Sequence, residues 1–189
     1  MGETAPKTRL RLRRTVVLIG MMGAGKTAVG KALAARLAVD LRDSDAVIVE
    51  RARLSIAEIF ERYGEAFFRD KETKVIERLL AGPPCVLSTG GGAWLAEANR
   101  RLLTGSAAVV WLKADLSLLW SRVRHKTTRP LLRTDDPKAT LSQLLTQRTP
   151  SYELAPHRVH VQPDWSIEQT ADRVLAELQR AGAVELDAT

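Results

Sequence analysis

The sequence predicts an α/β fold in which a parallel sheet is flanked by helices. Short apolar runs alternate with helical patterns along the chain, the first run enters a glycine-rich turn that opens onto a long helix, and the final segment is amphipathic at helical spacing. With 189 residues, the chain has the length of one domain with a substantial core, since about 100–200 residues make a domain.

Thr15 to Ile19 is a β-branched apolar run of the kind that forms a strand covered on both faces. From Lys26 to Leu37, Val29, Leu33 and Leu37 recur every four residues on one stripe, with Ala32, Ala34 and Ala35 favouring helix. Val39 to Leu41 is a candidate second strand. Ile56 to Leu80 is a second helical block, broken near Tyr63-Gly64, and is expected to stand apart from the sheet as a subdomain covering about residues 43–80. Further strands are expected at Val86 to Leu87, Ala107 to Leu112 and Val159 to Val161. His125 to Pro137 carries two prolines and no apolar period, and a loop of that length in a compact domain is commonly an active-site lid. In the last helix Ile167, Ala171, Val174, Leu175 and Leu178 share a face, with Asp164 or Ser166 as cap.

Composition narrows the class. The hydrophobic content of 45% excludes a disordered chain, and no apolar run approaches the roughly 20 residues that span a bilayer, so no membrane partner is expected. Net charge is +7, from 29 basic and 22 acidic residues. Lys7, Arg9, Arg11, Arg13 and Arg14 against Glu3 place +4 of it in the first 14 residues. Residues 1–14 are therefore expected to be a flexible basic extension, 15–182 the single folded domain and 183–189 a tail. A nucleic-acid arm is the alternative for the extension, but 14 residues are too few for a helix-turn-helix or a stacking surface; no nucleic-acid partner is expected. The single Cys85 cannot form an intramolecular disulfide, and the N-terminus lacks a secretory apolar stretch. A cytoplasmic monomer is expected.

Gly20-Met21-Met22-Gly23-Ala24-Gly25-Lys26-Thr27 fits the phosphate-loop pattern G-x-x-x-x-G-K-[ST] and sits between a strand and a helix, where that pattern must sit. Glycines let successive N–H groups close around a polyphosphate, and the helix presents its positive end to the same anions. Lys26 should reach the terminal phosphates, and the Thr27 hydroxyl should bind Mg²⁺.

A second set of residues bears on the acceptor. If Asp43-Ser44-Asp45 is extended, both carboxylates face the cleft at a strand's carboxyl end; the alternative is a helix cap. Asp43 could help hold Mg²⁺ and Asp45 could orient or deprotonate a substrate hydroxyl. Ser88 could bind a metal-ligated water. Gly90, Gly91 and Gly92 imply a backbone that must come close to a ligand, or a plain strand-to-helix turn. Arg69, Arg129 and Arg148 carry planar forks suited to carboxylate or phosphate, though each taken singly is also an ordinary surface arginine. Arg129, in the proposed lid, could be delivered to a transferring phosphoryl group.

The ordered set G-x-M-G-A-G-K-T, D-S-D, Phe68-Arg69, the triple glycine, R-P-L-L at Arg129 to Leu132 and R-x-P-x-Y at Arg148 to Tyr152 resembles the shikimate kinase family over residues 15 to about 180. The resemblance implies a P-loop NTPase fold of the nucleoside-monophosphate-kinase type, with a five-stranded parallel sheet, a helical substrate-binding subdomain and a lid. It also implies transfer of the ATP γ-phosphoryl group to the 3-hydroxyl of shikimate. By position, Asp45, Arg69, Gly90, Gly91, Gly92 and Arg148 match the family's shikimate contacts, the two arginines holding the carboxylate. Gly23, Ala24, Gly25, Lys26 and Thr27 match the ATP loop, Thr27 and Asp43 the Mg²⁺ residues, Arg129 the lid arginine and Arg122 the one near adenine. Many relatives have Ser where this chain has Thr27, which keeps the hydroxyl. Another small-molecule kinase of the same fold, such as a gluconate kinase, and a nucleotide-sensing regulator are the competing classes.

Other features have structural explanations. Cys85 and Trp111 read as core, as does Trp120. Phe60 and Phe68 either line a pocket or pack within the helical block. His157 and His160, three apart on a strand, should point to opposite faces and share no metal.

Overall fold

The computed structural model describes residues 9–125 and 130–187. Its centre is a sheet of five parallel strands, β2 (Val16–Ile19), β3 (Leu41–Asp43), β4 (Val86–Ser88), β5 (Ala108–Lys113) and β6 (His157–His160), in the order β3-β4-β2-β5-β6. All four residues of β2 are buried. Because alternate side chains of a strand point to opposite faces, this requires the sheet to be covered on both sides, as its apolar sequence demands. The helices that cover it are α1 (Lys26–Leu37), α3 (Ile56–Leu80), α4 (Glu97–Ser106), α5 (Leu116–Val123), α6 (Pro137–Tyr152) and α7 (Ile167–Arg180), and α2 (Ser44–Ala52) packs on α3.

The last helix is capped by Ser166, with a reciprocal bond from the Ser166 N–H to Gln169. It buries Thr170, Ala171, Val174 and Leu178 while Ile167 is left half exposed. Arg36 of α1 pairs with Glu168 and Asp172 of this helix, fastening the two together at the surface.

The helical block has its own small apolar cluster of Ile48, Ile59 and Phe68, apart from the main core, while Ile76 and Leu79 at the far end of α3 join that core. Gly64, with φ +80° and ψ 169°, breaks α3 where the sequence suggested. Phe60 and Phe68 meet within this cluster with ring centroids 4.8 Å apart and planes tilted by 35°. His157 and His160 point to different partners, Glu177 and Asp115, and Cys85 is buried and free.

Several expectations need correction. Arg9–Leu12, assigned to a flexible extension, forms a strand, β1, paired antiparallel with β7 (Val184–Asp187), which had been assigned to a tail. The register sets Arg9 opposite Asp187 and Arg11 opposite Glu185, Arg13 pairs with Glu185, and Leu12 and Val184 turn into the core. The strict alternation of Arg-Leu-Arg-Leu carried a strand signal, but its partner lies more than 170 residues away. The strand expected at Val39 to Leu41 lies two residues later, at Leu41–Asp43. Part of the expected lid is also structured: Pro130–Leu132 forms a 3₁₀ turn whose Leu132 is buried, and Asp136 caps α6 by accepting from the Ala139 N–H.

Candidate active site

The site forms at the carboxyl ends of the central strands, where the register brings Leu18, Ser88 and Asp43 side by side on β2, β4 and β3. β2 runs directly into the phosphate loop. Gly23 and Gly25 take φ values of +86° and +98°, a region closed to most side chains, and a Cβ on Gly23 would meet Val123 Cγ1 at 2.9 Å. The loop is thus pressed against α5, and its last glycine is the N-cap of α1. Lys26 Nζ donates to the Gly20 and Met21 carbonyls at 2.7 and 3.1 Å. Thr27, in the first turn of α1, is exposed. Arg122 of α5 donates from Nη1 to Gly23 O at 3.1 Å, and burial lowers its pKa. Gly23, Ala24, Gly25, Lys26, Thr27 and Arg122 therefore lie together. Arg129, expected beside them, lies outside the described residues.

Asp43 and Asp45 do not share one face of a strand. β3 ends at Asp43, and α2 begins at Ser44 with no loop between them. Asp43 Oδ1 accepts from the N–H groups of Asp45 and Ala46 at 2.9 and 3.1 Å, satisfying donors that a helix start leaves open. Asp45 occupies the first turn of that helix instead. Its Oδ1 is buried without a hydrogen-bond partner. Burial and the charge of Asp43 raise its pKa, against the opposing pull of Arg69 and Lys26.

The triple glycine lies between the remaining groups. A Cβ on Gly90 would sit 2.8 Å from Asp45 Oδ1 and 3.2 Å from Glu72 Oε1, and one on Gly92 would sit 2.6 to 3.0 Å from the Arg69 guanidinium. Arg148, half-buried on α6, brings Nη1 to 3.5 Å from the equivalent point on Gly91. Arg69 and Arg148, 79 positions apart in the chain, thus flank one three-residue loop. Gly90 and Gly92 are needed there because side chains would fill the space that Asp45 and Arg69 occupy.

Glu72 was not singled out by the sequence, although its spacing of three from Arg69 on a helix was a usable signal. Fully buried, it accepts from Arg69 Nη1 through Oε2 at 2.8 Å, while Oε1 has no partner. Burial raises its pKa. Burial alone would lower the pKa of Arg69, but its bonds and proximity to Glu72 and Glu65 raise it, so the guanidinium stays charged. A buried Asn99 on α4 supports this arm. It accepts from Thr73 Oγ1 at 2.7 Å and donates to Ala93 O at 3.0 Å, joining α3 to the segment after the glycines.

The site therefore contains a glycine-rich loop that opens a helix, two guanidinium groups flanking close-approaching backbone, and two buried carboxylate oxygens lacking donors. Such a set suits a polyphosphate beside a small acid that carries hydroxyl groups.

Comparison with known proteins agrees with that chemistry. The Shikimate kinase family model matches residues 22–179. The shikimate kinase of Ruegeria pomeroyi is 64% identical over 167 residues, 88% of this chain and 86% of that protein. The shikimate kinase of Cereibacter sphaeroides is 56% identical over 172 residues, 91% of this chain and 86% of its own length. Among solved structures, shikimate kinase from Acinetobacter baumannii in complex with shikimate superposes with a TM-score of 0.82 at 35% identity, covering 89% of this chain and 94% of that one.

Proposed function

The chain belongs to the shikimate kinase family, and on that premise we propose which of its residues carry the reaction. It is an ATP-dependent kinase that transfers the γ-phosphoryl group of ATP to the 3-hydroxyl of shikimate, giving shikimate 3-phosphate and ADP. The N–H groups of Gly23, Ala24 and Gly25, at the positive end of α1, cradle the polyphosphate, that of Ala24 leaving the Met21 carbonyl to which it donates at 3.1 Å. Lys26 exchanges its carbonyl partners for the terminal phosphates, and Arg122 lies near adenine. Arg69 and Arg148 hold the shikimate carboxylate as planar forks, with Gly90, Gly91 and Gly92 against the bound acid. Asp45 accepts a hydrogen bond from the acceptor hydroxyl and orients it or takes its proton.

Mg²⁺ fits the donors at hand. The Thr27 hydroxyl and the Asp43 carboxylate are hard oxygen ligands beside the phosphate loop, the chemistry this ion prefers. Those two residues would hold it, and when bound it neutralises charge on the phosphate oxygens. We assign to Arg129, on its motif, the same office from the lid. Transfer of a phosphoryl group demands little covalent chemistry of the protein, so positioning and charge neutralisation carry most of the rate.

The observation that carries these assignments is the convergence of Arg69, Arg148 and the unpartnered Asp45 Oδ1 on one glycine loop beside the phosphate loop. A coupled ADP-release assay across shikimate, gluconate and nucleoside monophosphates is the test. Turnover of shikimate alone is expected, and turnover only of the others would overturn the reading. We further propose a cytoplasmic monomer, which sedimentation of the purified enzyme checks for its oligomeric part. Among the described residues no helix is long and apolar enough to cross a membrane.

A further inference from the structure

Tyr152 closes the R-x-P-x-Y motif, and the reaction as described gives it no task. The residue is 1% exposed and lies four positions after Arg148 on α6, hence on the same face of that helix. Its hydroxyl donates to Gly91 O at 3.0 Å. Arg148 Nη1 lies beside the same glycine, 3.5 Å from where a Gly91 Cβ would sit. Both neighbours belong to the acid-binding side of the site. The ring is fixed independently, stacked on Trp111 of β5 with centroids 5.8 Å apart and planes 23° from parallel. The adjacent Ser151 O accepts from Trp94 Nε1 at 2.7 Å, fastening the end of α6 to the segment that follows the glycines. Burial raises the pKa of the phenol, so it keeps the proton it gives to Gly91.

Packing alone would be served equally well by phenylalanine. The hydroxyl adds a donor that holds the loop backbone at the glycine beside which the Arg148 guanidinium lies, and phenylalanine has none. We propose that Tyr152 is a positioning residue for shikimate recognition, holding the Gly91 backbone to the helix that carries Arg148 so that the anchor of the acid and the surface receiving it keep a fixed separation. This rests on the assignment of Arg148 as a carboxylate anchor. Without the tether the Gly91 backbone samples more positions relative to Arg148, and the substrate must order it on binding. The cost falls on shikimate affinity, because Arg148 touches neither the phosphate loop nor the reacting hydroxyl in this scheme.

The test is a double-mutant cycle with Tyr152→Phe and Arg148→Ala, reading KM for each substrate and kcat. Tyr152→Phe keeps the stacked ring. It is expected to raise the shikimate KM about fivefold, the scale of one neutral hydrogen bond, with kcat held within about twofold and the ATP KM unchanged. In the Arg148→Ala background the same substitution is expected to add less than about twofold, because the anchor whose separation from Gly91 it fixes is gone. An unchanged shikimate KM in Tyr152→Phe, or an equal penalty in both backgrounds, overturns the proposal. Should Arg148→Ala by itself leave the shikimate KM unchanged, the assignment of Arg148 fails, whatever Tyr152→Phe does, and the proposal falls with it.

Discussion

Gly92→Ala separates the fold from the site with the smallest change available. The backbone there, φ −96° and ψ −15°, is one that alanine adopts without strain, so the substitution should itself stabilise the chain by about 0.4–1 kcal/mol through the unfolded state. The new Cβ, however, would come within 2.6 Å of Arg69 Nη2 and 2.9 Å of Nη1, closer than packing allows. The guanidinium is the far end of a flexible side chain and can move, but it is held by the 2.8 Å bond from Nη1 to the fully buried Glu72. Moving it costs a charge-assisted bond, about 1.5–3 kcal/mol, and takes the fork off the substrate carboxylate. Loss of one such bond to substrate corresponds to a rise of roughly 10- to 150-fold in shikimate KM. The stability terms oppose each other, so Tm should fall by no more than about 10 °C at 2–4 °C per kcal/mol. Steady-state kinetics in both substrates with a thermal melt reads all of this. A variant with wild-type shikimate KM would refute the inference that Arg69 and the glycine loop form one surface, and a raised ATP KM would show that the effect lies elsewhere.

Three further outcomes are expected. Asp45→Asn should lower kcat by about 10²–10⁴-fold with the ATP KM nearly unchanged, since the group acts on the acceptor; an equal loss of ATP affinity would place Asp45 at the metal instead. Because burial holds the folded-state pKa of Glu72 above 4.5, the folded enzyme binds more protons there than the unfolded chain does, and stability falls as pH rises from about that unfolded value through the raised folded one. Relative to Glu72→Gln, the wild type should therefore lose Tm between mildly acidic and neutral pH, and a difference that stays flat or takes the opposite slope contradicts the burial of a charged form. Truncation through Leu12 removes β1 and the burial of Leu12, worth about 1.5–3 kcal/mol, and should lower Tm by roughly 3–12 °C while leaving kcat intact; an unaltered melt would show that the β1–β7 ribbon contributes nothing to stability.

The legible parts of this protein are those whose signal is local. The buried strand at Val16–Ile19, the loop from Gly20 to Thr27 and the helix behind it announce themselves within 22 consecutive residues, because backbone conformation, helix start and anion chemistry are all written by neighbours in the chain. The kink at Gly64 was readable for the same reason, as was the helix start that left Asp164 or Ser166 as its cap, of which the structure uses Ser166. The D-S-D segment shows where local reading stops. Its acids were found, but strand and helix start were both allowed by three residues, and the junction was decided by the pairing of Asp43 with Ser88 across the sheet.

Sequence by itself determined an α/β chain that binds a nucleotide and carries two arginines and an acid suited to an acidic polyol. Only the tertiary structure decided that α3 and α6 bring Arg69 and Arg148 to the same glycines, that Glu72 lies buried behind one of them and Tyr152 behind the other, and that the two ends of the chain close into a ribbon. The physical reason is separation along the chain. A contact between groups tens of residues apart depends on how helices pack over a sheet, and the aim of a guanidinium depends on the buried acceptor that holds it; neither has a counterpart in the pattern of adjacent residues.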